Sequence, residues 1–154
     1  MGRLSELRTH VNYELEMISD PKIRTGAVAH LYGVSLAAAM LAKKRGLDAE
    51  LASMAAMLHD LWAYKNGSYE DHAHRGAALA REILEGLGLT SPEETEVICS
   101  AIYHHDDKLT TDGPMEELLK DADVVHHCMN DLSKAVKEKE KARFENLCKE
   151  FGME

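Results

Sequence analysis

The residues with the clearest chemical meaning are His59 and Asp60, which follow a strongly apolar segment. Residues 51–58 are leucine, alanine, methionine and a single serine, so the helix that carries the pair is expected to be buried nearly all round. Burying an aspartate beside a histidine costs several kcal/mol unless a partner neutralises the charge. A divalent cation is a suitable partner, because it binds an imidazole nitrogen and a carboxylate oxygen together. The pair therefore predicts a metal site.

Further metal ligands are spread along the chain. An inward-facing histidine is more often a hydrogen-bonded core residue than a ligand, but several helices that each bring a histidine or an aspartate inward favour a metal. Spacing alone leaves Asp121 and Asp123 as alternatives, because a leucine precedes each of them at a helical interval. The predicted ligands are His30, His59, Asp60, His74, His104, His105 and Asp123. Such a site is typical of hydrolytic chemistry, since a bound cation makes hydroxide available near neutral pH.

The elements that must position these residues are all predicted to be helices, since no segment alternates polar and apolar residues with a period of two. Most helix boundaries follow from local signals: a proline at the start of a segment, a glycine just after its end, or a capping residue such as Asp48 or Ser91. The fold class is therefore all-α. The predicted helices span residues 4–18, 21–45, 49–64, 72–87, 92–105, 115–132 and, as a C-terminal amphipathic helix, 133–151.

Length and composition predict one ordinary globular domain over residues 1–154. The formal net charge of −9 argues against duplex nucleic acid or a membrane surface as a partner, because both require an excess of lysine and arginine. Three widely spaced cysteines are interpreted as reduced thiols, and the first residues carry charges where a signal peptide would be apolar. These features indicate a cytoplasmic protein.

The order of these residues resembles the HD-domain superfamily of metal-dependent phosphohydrolases. The resemblance covers residues 24–127 and implies a single-domain HD-type helical bundle with that core. The Ala-Asp context of the family's last motif favours Asp123 over Asp121. The elements that carry the resemblance are His30, His59-Asp60, His74 followed by Gly76, His104-His105 and Ala122-Asp123.

The resemblance implies a metal held by His30, His59, Asp60 and Asp123. Some branches bind a second ion with additional histidines and a bridging aspartate, so one or two divalent ions (Fe, Mn, Ni, Co, Zn or Mg) are expected. The positions that match the additional ligands are His74, His104 and His105.

The function that this resemblance implies is hydrolysis of a phosphate ester or anhydride of a small molecule, with a nucleotide as the expected class. Asp60, His74 and His105 are the expected catalytic residues. No acidic residue follows the His-Asp pair closely, which argues against deoxynucleoside monophosphates and alarmones as substrates. The residues expected to bind the substrate are Arg24, Lys65 and His104.

Two other functions remain open at this point. A non-catalytic module that binds a metal or a nucleotide would use the same residues, although it would not need every ligand. A di-iron oxygenase is the second alternative, because some HD relatives use iron for oxidation. The one protein partner that we expect is a second copy of this chain, in a homodimer.

Overall fold

The structure is a computed structural model that describes residues 2–153, so Met1 and Glu154 of the predicted domain lie outside the described residues. Within that range the chain is helical and has no strand, which confirms the all-α prediction. The elements are α1 (Arg3–Glu16), α2 (Pro21–Arg45), α3 (Ala49–Leu58), α4 (Leu61–Asn66), α5 (His72–Leu87), α6 (Pro92–His104), α7 (Pro114–Met129), a 3-10 helix (Glu138–Glu140) and α8 (Lys141–Phe151).

Local sequence signals account for most helix ends. Asp20 caps α2 by accepting a hydrogen bond from the backbone N–H of Lys22 at 2.8 Å. Gly46 ends the same helix in the left-handed conformation, with φ of 70°. At the start of α6, Ser91 and Glu94 form a reciprocal capping box. These boundaries agree with the sequence analysis.

The core is built around α2 and α3, which pack against each other along their lengths, and α7 closes over them. All residues of α3 from Leu51 to Leu58 are buried. Within residues 2–153, α2 is the one helix with the length and composition of a membrane span, but half of its apolar stretch is buried inside the bundle. This packing is that of a core helix.

The third predicted helix is wrong at its C-terminal end. α3 stops at Leu58, and α4 begins at Leu61, because Asp60 leaves the helical conformation with φ of −114° and ψ of 6°. The His-Asp pair therefore lies in the break between two helices. This break turns both side chains toward the interior rather than along one helix face.

The last predicted helix, over residues 133–151, is also shorter in the structure. Helix α7 ends at Met129 and α8 begins at Lys141. In between, Asp131 accepts hydrogen bonds from the backbone N–H and the hydroxyl of Ser133, which stabilises a turn instead of a helix. The segment of residues 130–140 therefore crosses the bundle surface next to a cavity.

Candidate metal centre

Four buried side chains from separate elements meet in the interior: His30 on α2, His59 and Asp60 between α3 and α4, and Asp123 on α7. Nε2 of His30 lies 3.1 Å from Nε2 of His59 and 3.1 Å from Oδ2 of Asp60. The same nitrogen lies 3.2 Å from Oδ1 of Asp123. We call these four residues the first cluster.

A second cluster consists of Asp60, His72 and His105. Nε2 of His105 lies 3.2 Å from Oδ1 of Asp60, and Nε2 of His72 lies 3.4 Å from the same oxygen. Since the other oxygen of Asp60 faces the first cluster, one carboxylate joins the two groups. Elements α2 to α7 thus all converge on this point.

Three of the histidines share one arrangement of their ring nitrogens. Each donates its Nδ1–H to the backbone carbonyl three residues earlier and directs Nε2 into its cluster. In a neutral ring this bond selects the tautomer with its lone pair on Nε2, which is the form that binds a metal. The three bonds join His59 to Ala56 (2.6 Å), His72 to Tyr69 (2.9 Å) and His105 to Ile102 (2.6 Å).

Lys108 binds the outer oxygen of Asp123. Its Nζ lies 2.8 Å from Oδ2 of Asp123 and donates to the backbone carbonyl of His105 at 2.7 Å. The inner oxygen, Oδ1, is buried, and among the described residues no donor makes a hydrogen bond to it. An unsatisfied buried carboxylate oxygen is costly, so Oδ1 requires a positive partner.

The electrostatics of the two clusters favour charged carboxylates. Burial alone would raise the pKa of Asp60 and Asp123, but His59 beside Asp60 and Lys108 beside Asp123 hold both pKa values well below the usual range. Burial opposes the charge on His59, but the two carboxylates raise its pKa above 6.5. Burial lowers the pKa of His105. Protons therefore compete with a cation for His59, and metal binding would release them.

The donor atoms of the first cluster are spaced as ligands of one ion would be. Atoms about 2.1 Å from a common ion lie about 3.0 Å apart at the corners of an octahedron and about 3.4 Å apart in a tetrahedron. The distances from the imidazole nitrogens to the carboxylate oxygens run from 3.1 to 3.4 Å. Mixed imidazole and carboxylate donors suit divalent iron, manganese, cobalt, nickel or zinc. The residues present therefore fit such a metal.

A cavity of about 390 Å³ opens over both clusters. Tyr64 and Tyr69 line the cavity with their ring centroids 6.5 Å apart. Burial raises the pKa of both phenols, so both stay neutral. Lys134, Lys137 and Lys139, on the segment that follows α7, also line the cavity. The cavity thus combines aromatic rings, cations and both His/Asp clusters.

Residues 27–128 match the HD domain family, and this region contains every residue of both clusters. The chain belongs to the HD domain family. The resemblance inferred from the order of its histidines and aspartates is thereby confirmed. The adjacent histidine and aspartate of this HD domain are His59 and Asp60.

Two relatives can be described further. The Bacillus subtilis (strain 168) protein named "Putative phosphohydrolase YueE" is 29% identical over 111 residues, which cover 65% of this chain and 62% of that protein. The match therefore spans less than two thirds of the relative's length. A crystal structure of a "predicted HD superfamily hydrolase" from an uncultured Thermotogales bacterium aligns over 96% of this chain and 88% of its own. Its TM-score is 0.66 at 20% identity, which shows a shared fold.

The structure brings five of the seven predicted ligands of the HD domain into the two clusters. Asp121, the alternative to Asp123, lies outside them and binds Arg45 at 2.8 Å and Arg143 at 3.2 Å. The five residues are His30, His59, Asp60, His105 and Asp123. Their role as ligands remains a prediction.

His74 differs from the prediction, because His72 takes the place expected for it. The side chain of His74 is half exposed, and its Nδ1 lies 2.8 Å from Oδ1 of Asp71. Two residues along a helix are rotated by about 200°, so only one of the two histidines can face inward. Gly76 and Ala80 are buried at intervals of four from His72, and this spacing is a sequence signal for the inner face of α5.

The three residues predicted to bind the substrate also lie elsewhere. His104 is rotated by about 100° from His105 and so leaves the apolar stripe of α6. All three are held by neighbours outside the cavity lining. His104 donates Nδ1–H to the carbonyl of Ser100 (2.9 Å), Arg24 donates to the carbonyl of Ile18 (2.6 Å), and Lys65 pairs with Glu14 (2.7 Å).

Two cavity residues next to the first cluster were not predicted as site residues. Lys108 lies in a polar loop, where a lysine is usually solvated, so no sequence pattern signalled its burial. His127 follows Asp123 by one helical turn, and that spacing is a usable signal. Nε2 of His127 lies 3.4 Å from Oδ1 of Asp123, while its Nδ1 lies 2.9 Å from Oε2 of the buried Glu140.

Proposed function

We propose that this protein hydrolyses a phosphate ester or anhydride bond of a small molecule, with a nucleotide as the expected substrate class. The observation that carries the proposal is the Asp60 carboxylate shared by two histidine clusters at the base of a cavity. Membership of the HD domain family and the name of the Bacillus subtilis relative support the same reaction class.

The first cluster would hold a divalent metal, and the second cluster, which shares Asp60, would hold another. A bound divalent metal would supply a Lewis acid and lower the pKa of bound water from about 15.7 toward about 7. Asp60 is also the residue that we expect to accept a proton from an attacking water. His72 and His105 direct their Nε2 atoms toward its Oδ1.

Other residues of the cavity would bind the substrate. Lys134 and Lys137 line the cavity, and their ammonium groups would contact phosphoryl oxygens. Tyr64 and Tyr69 offer ring faces on which a base could stack. A volume of about 390 Å³ falls within the range of small-molecule sites. Local positive charge from Lys134, Lys137 and a metal would admit an anion despite the net charge of −9.

The proposal includes a cytoplasmic location. Its support is cysteine chemistry: Cys99, Cys128 and Cys148 are free thiols, as is usual in a reducing compartment.

The test is phosphate release from a panel of nucleotides and a general aryl phosphate. The protein is stripped with a chelator and reloaded with manganese, iron, cobalt, nickel or magnesium. We expect release that depends on the metal and is lost in Asp60→Asn, which keeps the shape of the side chain. Absence of turnover on every phosphate ester, with metal demonstrably bound, would overturn the proposal. Nucleotide binding without turnover would then favour a binding module, and dioxygen consumption with iron would favour an oxygenase.

A further inference from the structure

His30 is supported differently from the other histidines of the two clusters. His59 and His105 follow the last residues of their helices and His72 begins one, so each finds a nearby backbone carbonyl for Nδ1. His30 is the tenth residue of the 25-residue α2, where the surrounding carbonyls already accept helical hydrogen bonds. Its Nδ1 instead lies 2.8 Å from Nδ1 of His126 on α7.

The direction of this hydrogen bond follows from what His30 must do. Nε2 of His30 faces the first cluster and needs its lone pair to bind a metal, so the proton lies on Nδ1. His30 is therefore the donor, and Nδ1 of His126 is the acceptor.

Gly33 shows that the fold makes room for the His126 ring. Gly33 lies on α2, three residues after His30 and on the same helix face. A Cβ atom built on Gly33 would overlap the ring of His126 and lie 2.7 Å from its Nε2. A glycine inside a helix is usually unfavourable compared with alanine, so its presence here is explained by the close approach of α7.

We propose that His126 is a positioning residue that fixes the tautomer and ring orientation of His30, and that Gly33 holds the space this contact needs. The inference rests on the metal site of the proposed function and adds a residue that supports it. The partner of a ligating histidine is commonly a carboxylate, a carbonyl or water. Here a second histidine on the facing helix takes that role.

The experiment measures the dissociation constant for Co²⁺ by competition with a chromogenic chelator, and records the visible absorption of bound Co²⁺. His126→Leu removes the acceptor and puts an apolar side chain of similar size in its place. We expect it to raise the dissociation constant by about 10–100-fold, the usual cost of losing an outer-shell partner, and to alter the spectrum. His126→Asn can place its oxygen where Nδ1 lies, so its affinity and spectrum should be closer to wild type than those of His126→Leu.

The matched control is His74→Leu, whose side chain is half exposed and outside both clusters, and which should leave Co²⁺ binding unchanged. Urea unfolding of the metal-free variants separates lost packing from lost positioning. A folded His126→Leu protein with wild-type affinity would overturn the inference, and so would equal losses in His126→Leu and His126→Asn.

Gly33→Ala is the second route, and it decides the matter if His126→Leu does not fold. The added methyl must displace the His126 ring, so a loss of affinity similar to that of His126→Leu is expected, and unchanged binding in folded Gly33→Ala would overturn the inference. The readout is independent of turnover, so a wild type that binds Co²⁺ but hydrolyses nothing contradicts only the proposed function. If the wild-type protein binds no Co²⁺, the proposed metal site is contradicted, and so is the role of His126 that depends on it.

Discussion

The Nζ atom of Lys108 lies 2.8 Å from Oδ2 of Asp123, and this contact divides the two oxygens of the carboxylate between two partners. The inner oxygen stays free to face the imidazoles of the first cluster. The two side chains are only 2% and 5% exposed. At such burial the desolvation penalty offsets much of the attraction, so the pair orients Asp123 more than it stabilises the fold.

Replacing Lys108 by methionine should strongly destabilise the metal-free protein. Removal of one partner from a buried ion pair costs about 3–5 kcal/mol, because the other charge is left without compensation. A bound cation would neutralise Asp123 and reduce this loss. The measurement is the free energy of unfolding in urea, with chelator and with excess Mn²⁺.

The control for Lys108 is Lys65→Met, which breaks the partly exposed pair with Glu14. Exposed pairs contribute about 0–1 kcal/mol, so the loss should be small and independent of metal. Equal losses in the two variants would show that Asp123 does not depend on Lys108.

The two histidines at the start of α5 provide a matched pair. His72→Ala should reduce metal-dependent phosphate release by about 100-fold or more, since loss of an outer-shell partner alone costs 10–100-fold. His74→Ala, two residues later, should retain activity within about twofold, because its half-exposed side chain belongs to neither cluster and surface substitutions change stability by only about 0.5 kcal/mol. Steady-state kinetics at saturating metal measure both. If His74→Ala lost activity while His72→Ala kept it, His74 and not His72 would be the residue that acts in the second cluster.

Asp60→Asn should remove the stabilisation that metal gives to the folded state. A ligand that binds the native state alone stabilises it by about 2.7 kcal/mol at 100 times its dissociation constant. Wild type should therefore show a higher melting temperature with Mn²⁺ than with chelator, and Asp60→Asn should show none of this increase. A full metal-dependent shift in Asp60→Asn would remove Asp60 from the ligand set.

Acid stability should depend on Glu117, which binds Arg143 at 3.0 Å and Lys120 at 3.1 Å. Burial opposes its charge, but these two cations lower its pKa below 4.5. A group with a lowered folded pKa contributes stability above its unfolded pKa and loses it as the pH falls through the folded value. Glu117→Gln should therefore destabilise the metal-free protein at about pH 7 and lose that difference well below pH 4.5.

The control for this prediction is Glu145→Gln, at an exposed position of α8. Urea unfolding of all three proteins across the pH range, in chelator, gives the comparison. A Glu117→Gln defect that stays constant down to the lowest pH would show that packing, and not charge, explains the effect.

Much of the candidate site could be predicted from sequence, because its residues lie on, or directly after, the apolar faces of helices. His30 and His105 continue apolar stripes, and the His-Asp pair ends a buried helix. His74 lies outside both clusters and His72 inside one, because the buried positions of α5 share the helical phase of His72. The expected third helix continued too far, since periodicity does not report the break at Asp60.

Other features depend on tertiary contacts that no spacing encodes. Lys108 is buried because Asp123 and a backbone carbonyl meet it from other elements. His126 supports His30 across 96 residues of chain. Alternating lysines and glutamates predict a helix over residues 133–151, but the helix begins only at Lys141, and Glu140 before it turns inward to His127. Contacts between distant elements decided these three cases.

The proposed metal site is tested most directly by locating the metal in the loaded protein. The protein is loaded with Mn²⁺ or Co²⁺, its metal content is measured by elemental analysis, and crystals are examined by anomalous scattering. We predict one or two ions per chain, one of them about 2.0–2.2 Å from Nε2 of His30 and His59 and from carboxylate oxygens of Asp60 and Asp123. A folded protein that binds no divalent ion, or whose ion lies away from these four side chains, would contradict the account.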